Sequence, residues 1–281
     1  VIELTFPMHN SVKYLPNVPQ YIALMHGPIM LGMKTGTEDM AHLIADDSRF
    51  GQYASGKKLS TDQAPILINN DIESIANQLQ PIPGKPLHFT LTTRMENPIH
   101  NELQPFFEIH DSRYMMYWLA LSENNYKGHL AQLAKAEQER QALEASTIDK
   151  VQPGEQQPET DHRMETDQSF TGNTNDCFWR DANNGHYFSY LMQTQGQENI
   201  ALRLKYWGVG EWKSHEFDIF VDDVLVKSVN NTGKYRISEF KYEVYDIPAE
   251  LLKGKTQVRV KFVAKPGKQI GEIYEVRLIN K

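Results

Sequence analysis

The chain has 281 residues, 40% of them hydrophobic and 23% charged, with a formal net charge of -7. That length accommodates two domains, each with its own core. The acidic balance supplies no basic stripe to neutralise phosphates, which argues against a nucleic-acid partner, and no apolar run reaches the ~20 residues of a membrane span.

In chain order, Ile2, Leu4 and Phe6 alternate with Glu3 and Thr5 before Pro7, a strand-like opening that reads as a fragment of something longer. Tyr21 to Met25 and Ile29 to Leu31 are apolar on both sides, as in a central strand kinked or bulged at Gly27-Pro28. Thr35 to Gln63 is polar and reads as a long loop. Further strands are expected at Pro65 to Ile68, Leu87 to Leu91, Gln104 to Ile109 and Arg113 to Leu119. Tyr126 to Ala145 is rich in strong helix formers, with Asn124 or Asn125 as its cap and a narrow apolar stripe of Tyr126, Leu130, Leu133 and Ala134 that rests on a domain. Val151 to Glu165, polar with two prolines, reads as an ordered loop or extended lead-in.

Strands then follow at His186 to Gln193, Ile200 to Trp207, Phe217 to Val221, Val224 to Val229, Phe240 to Tyr245, Val258 to Ala264 and Gly271 to Ile279, with one helical turn near Ile247 to Leu252. Asp222-Asp223 reads as a tight hairpin turn. The expected fold is mainly β: two antiparallel, jelly-roll-like β-sandwich domains, 1–122 and 150–281, joined by one helix over 123–149.

The chemical inventory is sparse. None of the ten histidines has a ligand spacing, no calcium loop pattern appears, and neither a metal nor a cofactor is expected. The single cysteine, Cys177, beside Phe178 and Trp179, reads as a buried thiol acting as a small hydrophobe. No nucleophile elbow or phosphate-binding glycine loop is present, so the chain is expected not to be an enzyme by itself. What remains is aromatic and polar clustering. Sugars lie on exposed rings while carboxylates, amides and cations hold their hydroxyls. The candidate sugar-binding residues are Trp212 in a glycine-flanked loop, Trp207, which alternation turns outward, and Trp179, with Arg180, Asp181 and His186 as a polar rim.

Several stretches also carry a family resemblance. VIELTFPM followed by YIALMHGPIMLGMKTGTEDM, then LQPFFEIHDSRYMMYW (Leu103 to Trp118), QPGEQQPETDH (Gln152 to His162), Phe178 to Asp181 and YWG…FDIFVDD resemble the β-domains that follow the (α/α)-barrel of glycoside hydrolase family 127-like proteins, the β-L-arabinofuranosidase relatives, of Bacteroides type. The resemblance implies a non-catalytic piece of a secreted hydrolase of plant polysaccharide, exported to the periplasm or cell surface. Its first domain would pack on an upstream catalytic barrel, and its second would be a carbohydrate-binding-like sandwich meeting plant oligosaccharides that contain arabinose. In that family the chemistry is attributed to a cysteine nucleophile at a zinc site of cysteines and a glutamate on the barrel. With Cys177 the only cysteine, that site does not carry over to these residues.

Overall fold

The computed structural model describes residues 3, 7–38, 40, 63–110, 112–208 and 214–281. The expected strand at Val1 to Phe6 and most of the polar loop after Thr35 therefore lie outside the described residues. The chain divides into two compact units, Val1–Lys135 and Ala136–Lys281, and is mainly β with antiparallel sheets.

The first unit opens with β1 (Asn10–Leu15), β2 (Val18–His26), β3 (Ile29–Gly36), β4 (Ile66–Ile68) and β5 (Leu79–Pro81). It continues with β6 (Phe89–Leu91), β7 (Arg94–Glu96), β8 (Glu102–Pro105), β9 (Arg113–Met115) and β10 (Trp118–Leu121). These strands connect in the order β5-β6-β8-β3-β2-β10-β4-β7, with β1 on β2 and β9 on β3. One pairing, β4 with β10, is parallel. The core gathers Ile22, Leu24, Leu31, Met33, Leu67, Ile75 and Trp118.

Gly27-Pro28 is not a kink within one strand. His26 pairs with Ile29 across it, so the two residues are the turn of a hairpin, and Gly27 supplies the φ of +55° that such a turn needs. The expected strand over Arg113 to Leu119 is likewise divided, because β9 pairs with β3 whereas β10 pairs with β2 and β4. Beyond Pro105 the chain turns into a 3-10 segment, Phe106–Glu108, in place of continued strand.

The helix, α1 (Glu123–Ser146), starts a turn earlier than its composition implies. Ser122 Oγ accepts from the Asn125 amide at 3.2 Å and Asn70 Oδ1 from the Glu123 amide at 3.1 Å, so these oxygens cap the helix and Asn124 and Asn125 lie within it. The expected apolar stripe is not buried: no residue of α1 is, and Leu130 and Leu133 are 45% and 42% exposed. Helix propensity and exposed pairs such as Arg140–Glu137 sustain the helix.

The second unit begins with β11 (Thr147–Val151), a short helix α2 (Gln156–Asp161), β12 (Glu165–Thr166), β13 (Phe170–Thr174) and β14 (Cys177–Asp181). It continues through β15 (Tyr187–Gln193), β16 (Ile200–Trp207), β17 (Glu216–Val221), β18 (Val224–Asn230) and β19 (Phe240–Asp246). A single turn, α3 (Ala249–Leu252), leads to β20 (Gln257–Ala264) and β21 (Ile273–Asn280). One sheet runs β13-β14-β21-β16-β19 with β11 also on β21, and the other runs β12-β15-β20-β17-β18. Leu202, Leu204 and Tyr206 of the first sheet meet Phe188, Tyr190, Phe217, Ile219 and Phe262 of the second in one core. Alternation along β16 places Arg203, Lys205 and Trp207 outward, as the sequence pattern requires. Asp222 and Asp223 both adopt positive φ, 46° and 62°, which matches the twist of the β17–β18 hairpin.

Candidate functional site

Of the six residues singled out for sugar binding, five are described: Trp179, Arg180, Asp181, His186 and Trp207. Arg180 projects from β14 into the core, where its guanidinium donates from Nε to Glu159 Oε1 and from Nη2 to Glu159 Oε2, both at 2.6 Å. Glu159, carried by α2, also accepts from the Gly154 amide at 2.9 Å and the Tyr190 hydroxyl at 2.7 Å. Burial raises the pKa of this carboxyl, but the Arg180, Gly154 and Tyr190 donors outweigh it and hold the group below the usual range. Asp181 is 2% exposed, and its Oδ1 accepts from the amides of Ala182 at 2.8 Å and Gly271 at 3.0 Å. Both are scaffold ties. The turn of helix that brings Glu159 inward replaces the loop or extended lead-in expected there, and nothing in the local pattern announced the pairing.

His186 is half-buried, with Nδ1 3.0 Å from Asp167 Oδ2. Asp167 is held at a pKa of about 2, because hydrogen bonds from the Tyr187 amide and His186 overcome the upward effect of burial. Trp212 lies outside the described residues.

Trp179 and Trp207 are both half-buried and belong to the same sheet. Trp179 Nε1 donates to Thr174 Oγ1 at 3.1 Å, and its ring meets Phe170 edge to face at 6.1 Å. Trp207 meets Phe240 at 4.8 Å, and Phe240 meets Tyr274 at 5.2 Å. The Lys205 ammonium lies 3.8 Å from the Phe240 ring centroid and the Arg203 guanidinium 3.9 Å from that of Tyr242. Both tryptophan rings thus pack against neighbouring rings, and Phe240 and Tyr242 each carry a cation. Cys177 differs from its expected burial: it is partly exposed, with Sγ 3.8 Å from Lys205 Nζ. The buried residues of β14 are Arg180 and Asp181 instead.

A different feature emerges where the sandwich is open. Among the described strands, β18 and β19 are each the last of their sheet, so each pairs on one side only. Between them runs a groove of about 560 Å³, lined by Val226–Asn231, Lys234 and Glu243–Asp246. Lys234 Nζ stands 2.6 Å from Glu243 Oε1, and the Tyr235 hydroxyl donates to the same carboxylate. Burial raises the Glu243 pKa, yet these two donors leave it below the ordinary carboxylate value. Asn231 is only 5% exposed, and its Oδ1 has no hydrogen-bond partner among the described residues. Behind it, burial pushes the Tyr245 hydroxyl up to about 12, and that hydroxyl lies 3.3 Å from Tyr206 Oη. The free edges become visible only once the pairing is known.

The first unit has a cleft of another kind, about 420 Å³, lined by Tyr21, Tyr114, Tyr117, Ile99 and Leu119 among others. Tyr114 is 53%, Tyr117 40% and Ile99 40% exposed, and Phe106 and Phe107 are exposed in the same unit at 42% and 53%. Among the described residues no cluster of three or more His, Cys, Asp or Glu can hold a metal, and no helix is long and apolar enough to cross a membrane.

No curated protein matches the sequence. By fold, the chain is similar to a family 35 carbohydrate-binding module from Clostridium thermocellum, at 10% identity and a TM-score of 0.35 over 42% of this chain and 92% of that one. It is also similar to the CBM36-1 domain of a multidomain xylanase from the hindgut metagenome of Trinervitermes trinervoides, at 14% identity and a TM-score of 0.34 over 47% and 96%. Likeness at these scores does not bear on function. Residues 11–120 match a domain of unknown function, DUF4986, and residues 142–279 match a family of unknown function, DUF6805.

Proposed function

We propose that this chain is the non-catalytic C-terminal region of a secreted glycoside hydrolase acting on plant polysaccharide, and that its first unit supports an upstream catalytic barrel. The observation that carries this reading is the set of large apolar side chains left exposed in the first unit: Ile99, Phe106, Phe107, Tyr114 and Tyr117. Aromatic side chains this exposed fit a surface that a partner covers, since each buries on the order of 150–250 Å² when packed. Family resemblance supplies the partner, a family 127-like barrel. Mixing the chain with such a barrel tests it: wild type forms a complex, whereas Phe107→Asp with Tyr114→Asp abolishes the complex and leaves the chain folded. Failure of the wild-type chain to associate overturns the reading.

A second reading concerns the second unit, which binds oligosaccharide and directs the enzyme to arabinose-containing glycans. The polar groove between β18 and β19 favours it, because a recess of about 560 Å³ lined by lysines, acids and a serine suits a hydroxyl-rich ligand. Retention on an arabinan gel tests it, and elution with the void volume counts against it.

A further inference from the structure

We propose that the tyrosine-lined cleft of the first unit is a binding site for a short neutral glycan segment, held by ring stacking and hydroxyl contacts, and that it excludes uronates. The inference deepens the first reading above and rests on it: the unit that supports the barrel also holds part of the polysaccharide. The cleft volume, about 420 Å³, falls within the roughly 300–1,000 Å³ of small-ligand sites.

Strand pairing builds the floor. Leu119 of β10 stands opposite Tyr21 of β2 and Ile66 of β4, so these three side chains line up on one face across three neighbouring strands. Tyr114 of β9 and Tyr117, in the short link between β9 and β10, are exposed beside that floor. Thr35 joins the lining where the register of β9 against β3 slips. Among the described residues, the rings of Tyr21, Tyr114 and Tyr117 neither stack on another ring nor carry a cation. Their faces are open, unlike those of the second unit's Trp179 and Trp207, which already pack against rings.

The lining selects the ligand class. A sugar ring offers C–H faces to an aromatic surface and hydroxyls to polar groups at its edge. Here the tyrosine hydroxyls, the Thr35 hydroxyl and the Gln63 amide make no side-chain hydrogen bond among the described residues. An aliphatic ligand would displace water from those groups and return no hydrogen bond, whereas a glycan replaces the lost partners. Among the described residues no charged side chain lines the cleft. A uronate carboxylate entering it loses hydration and finds no cation, a cost that a neutral sugar does not meet.

The test is a calorimetric titration of the whole chain with arabino-, xylo- and galacto-oligosaccharides and with oligogalacturonides, with hydrogen exchange in the bound state. A neutral oligosaccharide is expected to bind and to protect residues 114–119. Tyr117→Ala removes one stacking face and is expected to weaken binding about tenfold or more. Ile99→Lys adds a cation to the exposed lining and is expected to raise oligogalacturonide affinity at least severalfold. Preference of the wild type for oligogalacturonides, or no gain of uronate affinity in a folded Ile99→Lys variant, overturns the assigned class. Neutral binding that protects only the second unit, or that is unchanged in a folded Tyr117→Ala variant, overturns the cleft. Binding of no glycan overturns it as well. Protection is read on the wild-type chain, so it decides even where a variant does not fold. Phe106 and Phe107 lie outside the lining, and sedimentation with the barrel needs no sugar, so the supporting role and the sugar site fail separately.

Discussion

Replacing Arg180 by Met separates a scaffold role from a ligand role. Arg180 and Glu159 side chains are only 10% and 7% exposed, so the pair is shielded from solvent, and the carboxylate gathers four donors: two from Arg180, one from Gly154 and one from Tyr190. Arg180→Met keeps most of the side-chain length and removes two of those donors, stranding a buried anion. Breaking such a pair from one side costs about 3–5 kcal/mol. At about 2–4 °C per kcal/mol for a domain of this size, the melting transition of the second unit falls by roughly 6–20 °C. The double variant Arg180→Met with Glu159→Leu recovers part of the loss, because no charge is then left unpaired. Calorimetry on the two variants and wild type checks this, alongside retention on an arabinan gel well below the melting point. A drop under about 2 °C, or lost retention with stability intact, refutes the scaffold assignment and makes Arg180 a ligand residue.

Three further outcomes are expected. The His162 pKa is raised chiefly by its hydrogen bond to Asp149, so the interaction stabilises the fold fully below the unfolded value near 6.5 and is lost as pH rises through the higher folded value; urea midpoints across that window decline in wild type and flatten in Asp149→Asn. A Cβ added at Gly172 comes within 2.3 Å of Trp179 Cζ2, so Gly172→Val displaces the indole and costs about 1–3 kcal/mol, read as a lower melting point with altered near-ultraviolet dichroism; an unchanged spectrum contradicts the packing. Asp223→Gly relieves a φ of 62° while losing only the exposed pair with Lys261, so stability rises by a few tenths to about 1 kcal/mol in denaturant titration.

Period-two patterning made the second unit legible strand by strand. β15 to β21 fall close to where alternation puts them, because a strand with one dry face repeats every second residue and β16 shows that face cleanly. Features set by partners distant in sequence were not legible. Glu159 precedes Arg180 by 21 residues and Tyr190 by 31, and α2, β13 and β14 are too short or too polar to carry a periodic signal. Gly27-Pro28 is ambiguous between a bulge and a turn until the register of His26 against Ile29 is known. The exposed α1 stripe shows the opposite failure, since a narrow apolar face reads as a contact but helix propensity and exposed ion pairs sustain the helix.

The most direct test of the account is association with a catalytic barrel. Sedimentation of the chain with the (α/α)-barrel of a family 127-like protein is expected to give a complex of one copy each, lost when Phe107 and Tyr114, at 53% exposure each, are both changed to Asp. A wild-type chain that sediments independently of the barrel, or a complex untouched by those changes, contradicts the supporting role assigned to the first unit.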